Sequence, residues 1–187
     1  MAEATDGLIS IREAAHGFTE AYATHSDDFA GFVEEATPVC KRLIKRPDLL
    51  TLGFPLGTHR TALRLLYADG DLSIIIAEEP TGIPIPVHDH GMWEMLGLWR
   101  GRIEHYMYER LDDGTEPGVA ELNEIERSVL EAGDVVCVPP PPHDIHGFTA
   151  LEDLSYFVAI LPGWYNNVRR YFDPERKSYL LYERTPV

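Results

Sequence analysis

The sequence predicts a mainly β fold: a barrel or jelly roll of short strands behind a helical N-terminal third. Three observations carry this. Apolar residues recur at spacings of three and four as far as Pro47, then at two from about Thr61 onward. From Thr61 a series of short apolar runs is separated by Gly, Pro and Asp-Gly turns. Finally, His88 and His90 stand at i and i+2 just behind Pro84 and Pro86. The prolines disfavour a helix there, and strand side chains alternate faces, so both imidazoles fall on one side of a strand.

Each element follows from local pattern. Leu8, Ile11, Ala15, Phe18 and Tyr22 form one helical face. Ser26 is a candidate cap for a second helix that places Phe29, Phe32, Val33 and Ala36 together. Pro38 is expected to interrupt it, with Val39, Cys40, Leu43 and Ile44 continuing the apolar face. Strands are expected over 61–68, 72–77, 85–90, 93–99, 102–109, 125–130, 134–138, 145–149 and 154–161, with turns at Asp69-Gly70-Asp71 and Asp112-Asp113-Gly114. This divides one domain into a helical segment (1–58), a barrel (59–163) and an aromatic, charged C-terminal extension (164–187). The extension is expected to wrap the barrel or to form a subunit contact.

Composition narrows the function classes. At 187 residues the chain suits one domain with a core large enough to need no disulfides. A net charge of −15 disfavours nucleic acid and anionic membranes as partners, and no apolar run approaches a membrane span. Two cysteines, Cys40 and Cys137, and an acidic N-terminus without an apolar signal core point to a cytoplasmic setting. Neither a Ser-His-Asp pattern nor a phosphate-binding glycine loop is present.

His88 and His90 lie in a wider frame: Gly82, five residues, His88, one, His90, three, Glu94, six, Gly101. A second stretch, Gly133 to Pro139, reads G-x5-P and leads through four prolines to His143-Asp144-Ile145-His146. These two stretches resemble the paired motifs of the cupin superfamily of small metal-binding β-barrels. The resemblance implies a double-stranded β-helix, a jelly-roll barrel, with a metal held by His88, His90, Glu94 and one histidine of the second motif. His146 is the preferred third histidine, because Ile145-His146 matches the hydrophobic-His pattern of dioxygenase-like cupins. His143 is then left on the loop at the barrel mouth. Nitrogen ligands suit Fe, Cu, Ni and Zn alike and an added oxygen ligand pulls toward Mn, so residue types alone do not choose the metal. His105 reads as a packed or barrel-facing histidine rather than a ligand.

The stretch Arg64-Leu65-Leu66-Tyr67, an Asp-Gly turn, an apolar strand, Pro86 to Trp93 and Arg100-Gly101 is similar to the cysteine dioxygenase family of thiol dioxygenases. That likeness implies Fe(II), O2 and a small carboxylate-bearing thiol as reactants, with Arg64 on the substrate carboxylate and Arg60 as the alternative if the register differs. An arginine fork matches a carboxylate well, while a strand arginine in an internal salt bridge is the other reading of Arg64. Two departures stand out. The family has cysteine or glycine where this chain has Glu94, and its serine-histidine-tyrosine relay is absent, leaving Tyr156 as the tyrosine of that stretch. Glu94 is either a fourth metal ligand or a hydrogen-bond partner of a ligand histidine or a nearby arginine. The expected partners are therefore a small-molecule substrate and O2, with a homodimer allowed by the aromatic C-terminal segment. Two further function classes stay open: a non-redox metal-dependent lyase or isomerase, and a metal-binding cupin without catalysis.

Overall fold

A computed structural model describes residues 8–56, 63–166 and 168–183. The chain begins with α1 (Ile11–Thr24). Its N-terminus is closed by a capping box in which the Ser10 hydroxyl accepts from Glu13 N–H and the Glu13 carboxylate accepts from Ser10 N–H. In α2 (Phe29–Leu43) the capping residue is Asp28, which accepts from Gly31 N–H at 3.0 Å, and not the expected Ser26. A tight turn over 25–27 separates Ser26 from the first helical residue, so only Asp28 can reach an unpaired amide. Pro38 lies inside α2 and does not end it. Its missing N–H costs one helical bond, but Phe32, Ala36, Cys40 and Leu43 are all buried on one face, and that packing carries the helix through.

After a short 3-10 turn (Leu49–Thr51) come, among the described residues, twelve strands: β1 (Phe54–Leu56), β2 (Leu63–Ala68), β3 (Leu72–Pro80), β4 (Ile85–His88), β5 (Glu94–Arg100), β6 (Arg102–Arg110), β7 (Leu122–Glu131), β8 (Val135–Val138), β9 (Ile145–Ala150), β10 (Leu154–Pro162), β11 (Val168–Asp173) and β12 (Ser178–Glu183). Those from β2 to β10 are the nine the period-two pattern predicts, with ends shifted by up to three residues. The other three carry Pro55 or a charged, weakly alternating sequence and gain their strand character from pairing with a neighbour.

The strands form two antiparallel six-stranded sheets, ordered β1-β2-β3-β10-β5-β8 and β12-β11-β4-β9-β6-β7. Successive strands cross repeatedly from one sheet to the other: β3 lies in the first, β4 in the second, β5 in the first, β6 and β7 in the second, β8 in the first, β9 in the second and β10 in the first. This crossing makes a jelly-roll sandwich, the expected cupin architecture with N-terminal helices. The motif glycine Gly101 makes the turn from β5 to β6 at φ +84°, and a Cβ there would stand 2.4 Å from Ser155 Oγ.

The first sheet is apolar on both faces. Ile75, Ala77, Leu96, Leu98, Phe157, Ala159 and Leu161 face inward against Ile103, Leu130 and Phe148 of the second sheet. Ile74, Ile76, Met95, Val158 and Ile160 face outward and are covered by Phe18, Phe32, Cys40 and Leu43 of the helices. Residues 164–183 are not a loose appendage: β11 pairs with β4 and with β12, widening the second sheet beside the histidine motif.

Candidate metal centre

His88 closes β4, where it is the cross-strand partner of His146 on β9 and of Tyr171 on β11. Directly paired residues share a face, so all three side chains point to the interior. His90 lies two residues beyond the strand end, and its loop is fixed by polar contacts. The buried Asp144 carboxylate accepts from His90 N–H at 3.0 Å and Gly91 N–H at 2.6 Å, and Asn166 Nδ2 donates to His90 O at 2.8 Å. Asp89 accepts from the Arg170 backbone and pairs with its guanidinium, both at 2.8 Å. Gly91 sits at φ +70°, and a Cβ there would strike Asn166 Nδ2 at 2.4 Å.

Three imidazoles converge as a result. His88 Nε2 lies 2.6 Å and His146 Nε2 3.3 Å from His90 Nε2. Two nitrogens each about 2.1 Å from one ion stand roughly 3–3.5 Å apart. The His146–His90 separation falls in that range, and the His88–His90 pair need open by only a few tenths of an ångström to share a metal. Tautomers agree with it. His88 Nδ1 lies 2.8 Å from the Pro86 carbonyl, which only accepts, so Nδ1 carries the hydrogen and Nε2 presents a lone pair to the centre. His146 Nδ1 is held by His105 Nε2 at 3.0 Å, and His105 is fully buried. Burial disfavours the charged form of each ring, holding His88 down to about 3 and His90 and His146 well below the usual histidine range. Mutual repulsion and the nearby Arg169 charge push the same way. The group is therefore three neutral, buried nitrogen donors able to hold a metal ion.

Glu94 opens β5 on the inner face and is buried. Its Oε1 accepts from Tyr165 O–H at 2.7 Å, while Oε2 lies 3.4 Å from His90 Nδ1 and 3.6 Å from His146 Nε2. Burial raises its pKa to about 7, against the lowering effects of the Tyr165 bond and the Arg169 charge. The donor set thus fits a divalent metal with Glu94 at its edge.

Two residues implied by the thiol dioxygenase resemblance stand elsewhere. Arg64 alternates with the inward Leu63 and Leu65, so it faces away from the interior, and its guanidinium donates to the Leu52 and Gly53 carbonyls. Tyr156 lies on the helix-facing side of β10, packed edge-on to Trp99, with its hydroxyl on Glu78 at 2.9 Å. His143 is exposed on the loop before β9, and Arg60 lies outside the described residues. A separate cavity of about 450 Å³ lies on the helix side, lined by Tyr22, Asp71, Trp93 and Pro162 and by none of the histidines.

Residues around the centre that the sequence did not single out are Asp144, Tyr165, Asn166, Arg169 and Tyr171. Asp144 had a signal, its place inside His143-Asp144-Ile145-His146; the others had none, because the strand carrying two of them was not legible. No protein-family model matches the chain, and no curated protein matches it. Among solved structures it is similar to KdgF from Halomonas sp. (18% identity, 59% of this chain and 87% of that one, TM-score 0.45). It is also similar to an RmlC-like cupin from Shewanella frigidimarina (18%, 60% and 85%, TM-score 0.46) and to a cupin 2 conserved barrel domain protein from Rhodopseudomonas palustris (18%, 60% and 72%, TM-score 0.45). Among the described residues no helix is long and apolar enough to cross a membrane.

Proposed function

We propose that this chain is a mononuclear metal-dependent dioxygenase, using Fe(II), that adds O2 to a small carboxylate-bearing substrate. The leading substrate is a thiol acid, R–SH + O2 giving the sulfinic acid R–SO2H. The observation that carries the reading is the convergence of the His88, His90 and His146 Nε2 atoms in a buried, neutral cluster beside Glu94. An Fe(II) ion bound there supplies the redox chemistry and the template that O2 insertion needs. The chain's own residues do the rest. Pro86 O and His105 keep the ligand nitrogens aimed, and Asp144 and Asn166 hold the His90 loop. Glu94 adds an oxygen donor steadied by Tyr165. Inward apolar residues, Leu96, Leu98 and Phe148 among them, keep the interior dry. The reading takes the protein as cytoplasmic, in keeping with two unpaired cysteines. It also allows a homodimer through the β12 edge, where Leu180, Leu181 and Tyr182 are exposed.

A second reading, a metal-dependent lyase or isomerase, is favoured by the short Tyr165–Glu94 hydrogen bond, a ready relay for one proton beside the ligands. Oxygen uptake by protein loaded anaerobically with Fe(II) separates the two, with cysteine, 3-mercaptopropionate and cysteamine as substrates and His88→Ala as blank. Thiol-dependent uptake lost in the blank supports the dioxygenase. No uptake with any thiol removes the thiol reading, and turnover of a substrate without O2, supported by Zn or Ni, would establish the second.

A further inference from the structure

One cation near the histidines, Arg169, carries no hydrogen-bonded or ion-paired partner on its guanidinium among the described residues. On β11, Tyr171 is paired with His88 and stacks on it at 5.8 Å, so Tyr171 faces the centre. Arg169 stands two residues earlier and shares that face. Its guanidinium lies 4.1 Å from the centroid of the Tyr165 ring, whose edge-on neighbour is His90 at 5.7 Å and whose hydroxyl bonds Glu94. Arg169 is half-buried, and among the described residues its side chain makes no hydrogen bond or ion pair. Its neighbour Arg170 is committed to Asp89, and Arg127 to Glu104 and Glu124. A guanidinium has five donors and no acceptor. Although the Glu94 carboxylate feels the Arg169 charge, none of the five donors meets a protein oxygen among the described residues, which leaves the fork free to take a small anion. Arg169 is also close enough for its charge to disfavour protonation of His88, His90 and His146.

We propose that Arg169, rather than Arg64, binds the substrate carboxylate, with the Tyr165 ring as the platform beneath its planar fork. The site would then select small anions whose carboxylate lies a few bonds from the atom that reaches the metal. The C-terminal strand β11 becomes the specificity element of a centre whose ligands come from β4, its following loop and β9. This rests on reading the histidines as a metal site.

The test uses the full chain loaded with Co(II) under anaerobic conditions and needs no turnover. Visible spectra are titrated with 3-mercaptopropionate and with 2-mercaptoethanol, which share a thiol and differ in carboxylate against neutral hydroxyl. The wild type is expected to bind the acid at least 10-fold more tightly. Arg169→Met is expected to weaken the acid at least 10-fold while leaving 2-mercaptoethanol and Co(II) stoichiometry unchanged, with Arg169→Lys recovering part of the loss and Arg64→Met behaving as wild type. Equal affinity of the wild type for both thiols, equal loss of both in Arg169→Met, or a selective loss in Arg64→Met would each overturn the proposal, as would no spectral response to either thiol. Failure to take up Co(II), read before any thiol is added, would overturn it by removing the metal site. Selective binding by the Co(II) protein without O2 uptake by the Fe(II) protein would uphold Arg169 and end the dioxygenase reading.

Discussion

The helix-covered face of the first sheet carries an arginine and a tyrosine, and the histidine side of the second sheet has another such pair, Arg169 on β11 and Tyr165 in the loop before it; the two pairs are used in opposite ways. On the first, Arg64 is spent on the Leu52 and Gly53 carbonyls and Tyr156 on Glu78. Both stand over a dense apolar layer of Ile74, Ile76, Val158 and Ile160 under the helices. On the second, Tyr165 bonds the buried Glu94 and Arg169 lies over that tyrosine with no acceptor among the described residues. The residue types are the same. Strand parity separates the two arginines, because a shift of one position turns a side chain from the interior to the opposite face, while Tyr165 reaches the histidines from the loop that leads into β11. A polar group on the covered face is satisfied by protein and stabilises; one on the histidine face is left with capacity for a ligand.

The largest effect that would sharpen this contrast comes from the ligands. His146→Ala should abolish stoichiometric binding of Co(II) or Fe(II), lowering affinity by more than the 10- to 100-fold that loss of a supporting residue costs. Equilibrium dialysis checks the affinity and circular dichroism the retained fold; unchanged affinity would mean that the three nitrogens do not act together.

Acid should come next. In metal-free protein burial, helped by the Arg169 charge at His88, holds His88 at about 3, and burial alone holds His105 at about 4. An unfolded histidine titrates near ~6.5. The unfolded chain therefore binds more protons between these values, so the stability held in neutral histidines is complete above ~pH 6.5 and is lost as pH falls. Glu94, raised to about 7 by burial, works the other way. It holds its proton in the folded state, so its contribution declines as pH rises from ~4.5 to 7. Two histidines outweigh one glutamate, and the urea midpoint of the metal-free protein should fall between pH 7.5 and pH 5. A midpoint that rises would show that these rings are already charged in the folded state.

The smallest effects come from the tyrosines. Tyr165→Phe removes a buried hydrogen bond to a carboxylate and should cost about 1–3 kcal/mol. Tyr156→Phe removes a partly exposed bond to Glu78 and should cost about 1 kcal/mol or less. Only the first should also change metal affinity. Urea midpoints and metal titrations on both variants test this, and equal behaviour would erase the distinction between the faces.

How far the chain could be read depends on how local each signal is. The period-two runs of β3, β5 and β10 are strongly apolar, and they appear in the structure close to the expected bounds. Asp28 as the cap of α2 and the passage of that helix through Pro38 were not legible, because packing of Phe32 and Cys40 overrides a local breaker. At the centre, the frame from Gly82 to Gly101 marked His88, His90 and Glu94, which the fold does bring together with His146. The supporting residues were hidden. Asp144 reaches the His90 loop across 54 positions of chain, and Tyr165 reaches Glu94 across 71.

The sequence by itself determined the mainly β class with N-terminal helices, the strand run from β2 to β10 and the His88–His90 pair, since alternation and motif spacing are carried by neighbouring residues; the fold chose His146 over His143 as their companion. Only the tertiary structure decided which arginine and which tyrosine stand at the histidines. That choice depends on β11 pairing with β4 so that Tyr171 lies opposite His88, and on β2 placing Arg64 opposite Ile76 on the outward face. The face a strand residue presents is fixed by its register against a distant partner strand, through hydrogen bonds that no local stretch of chain encodes.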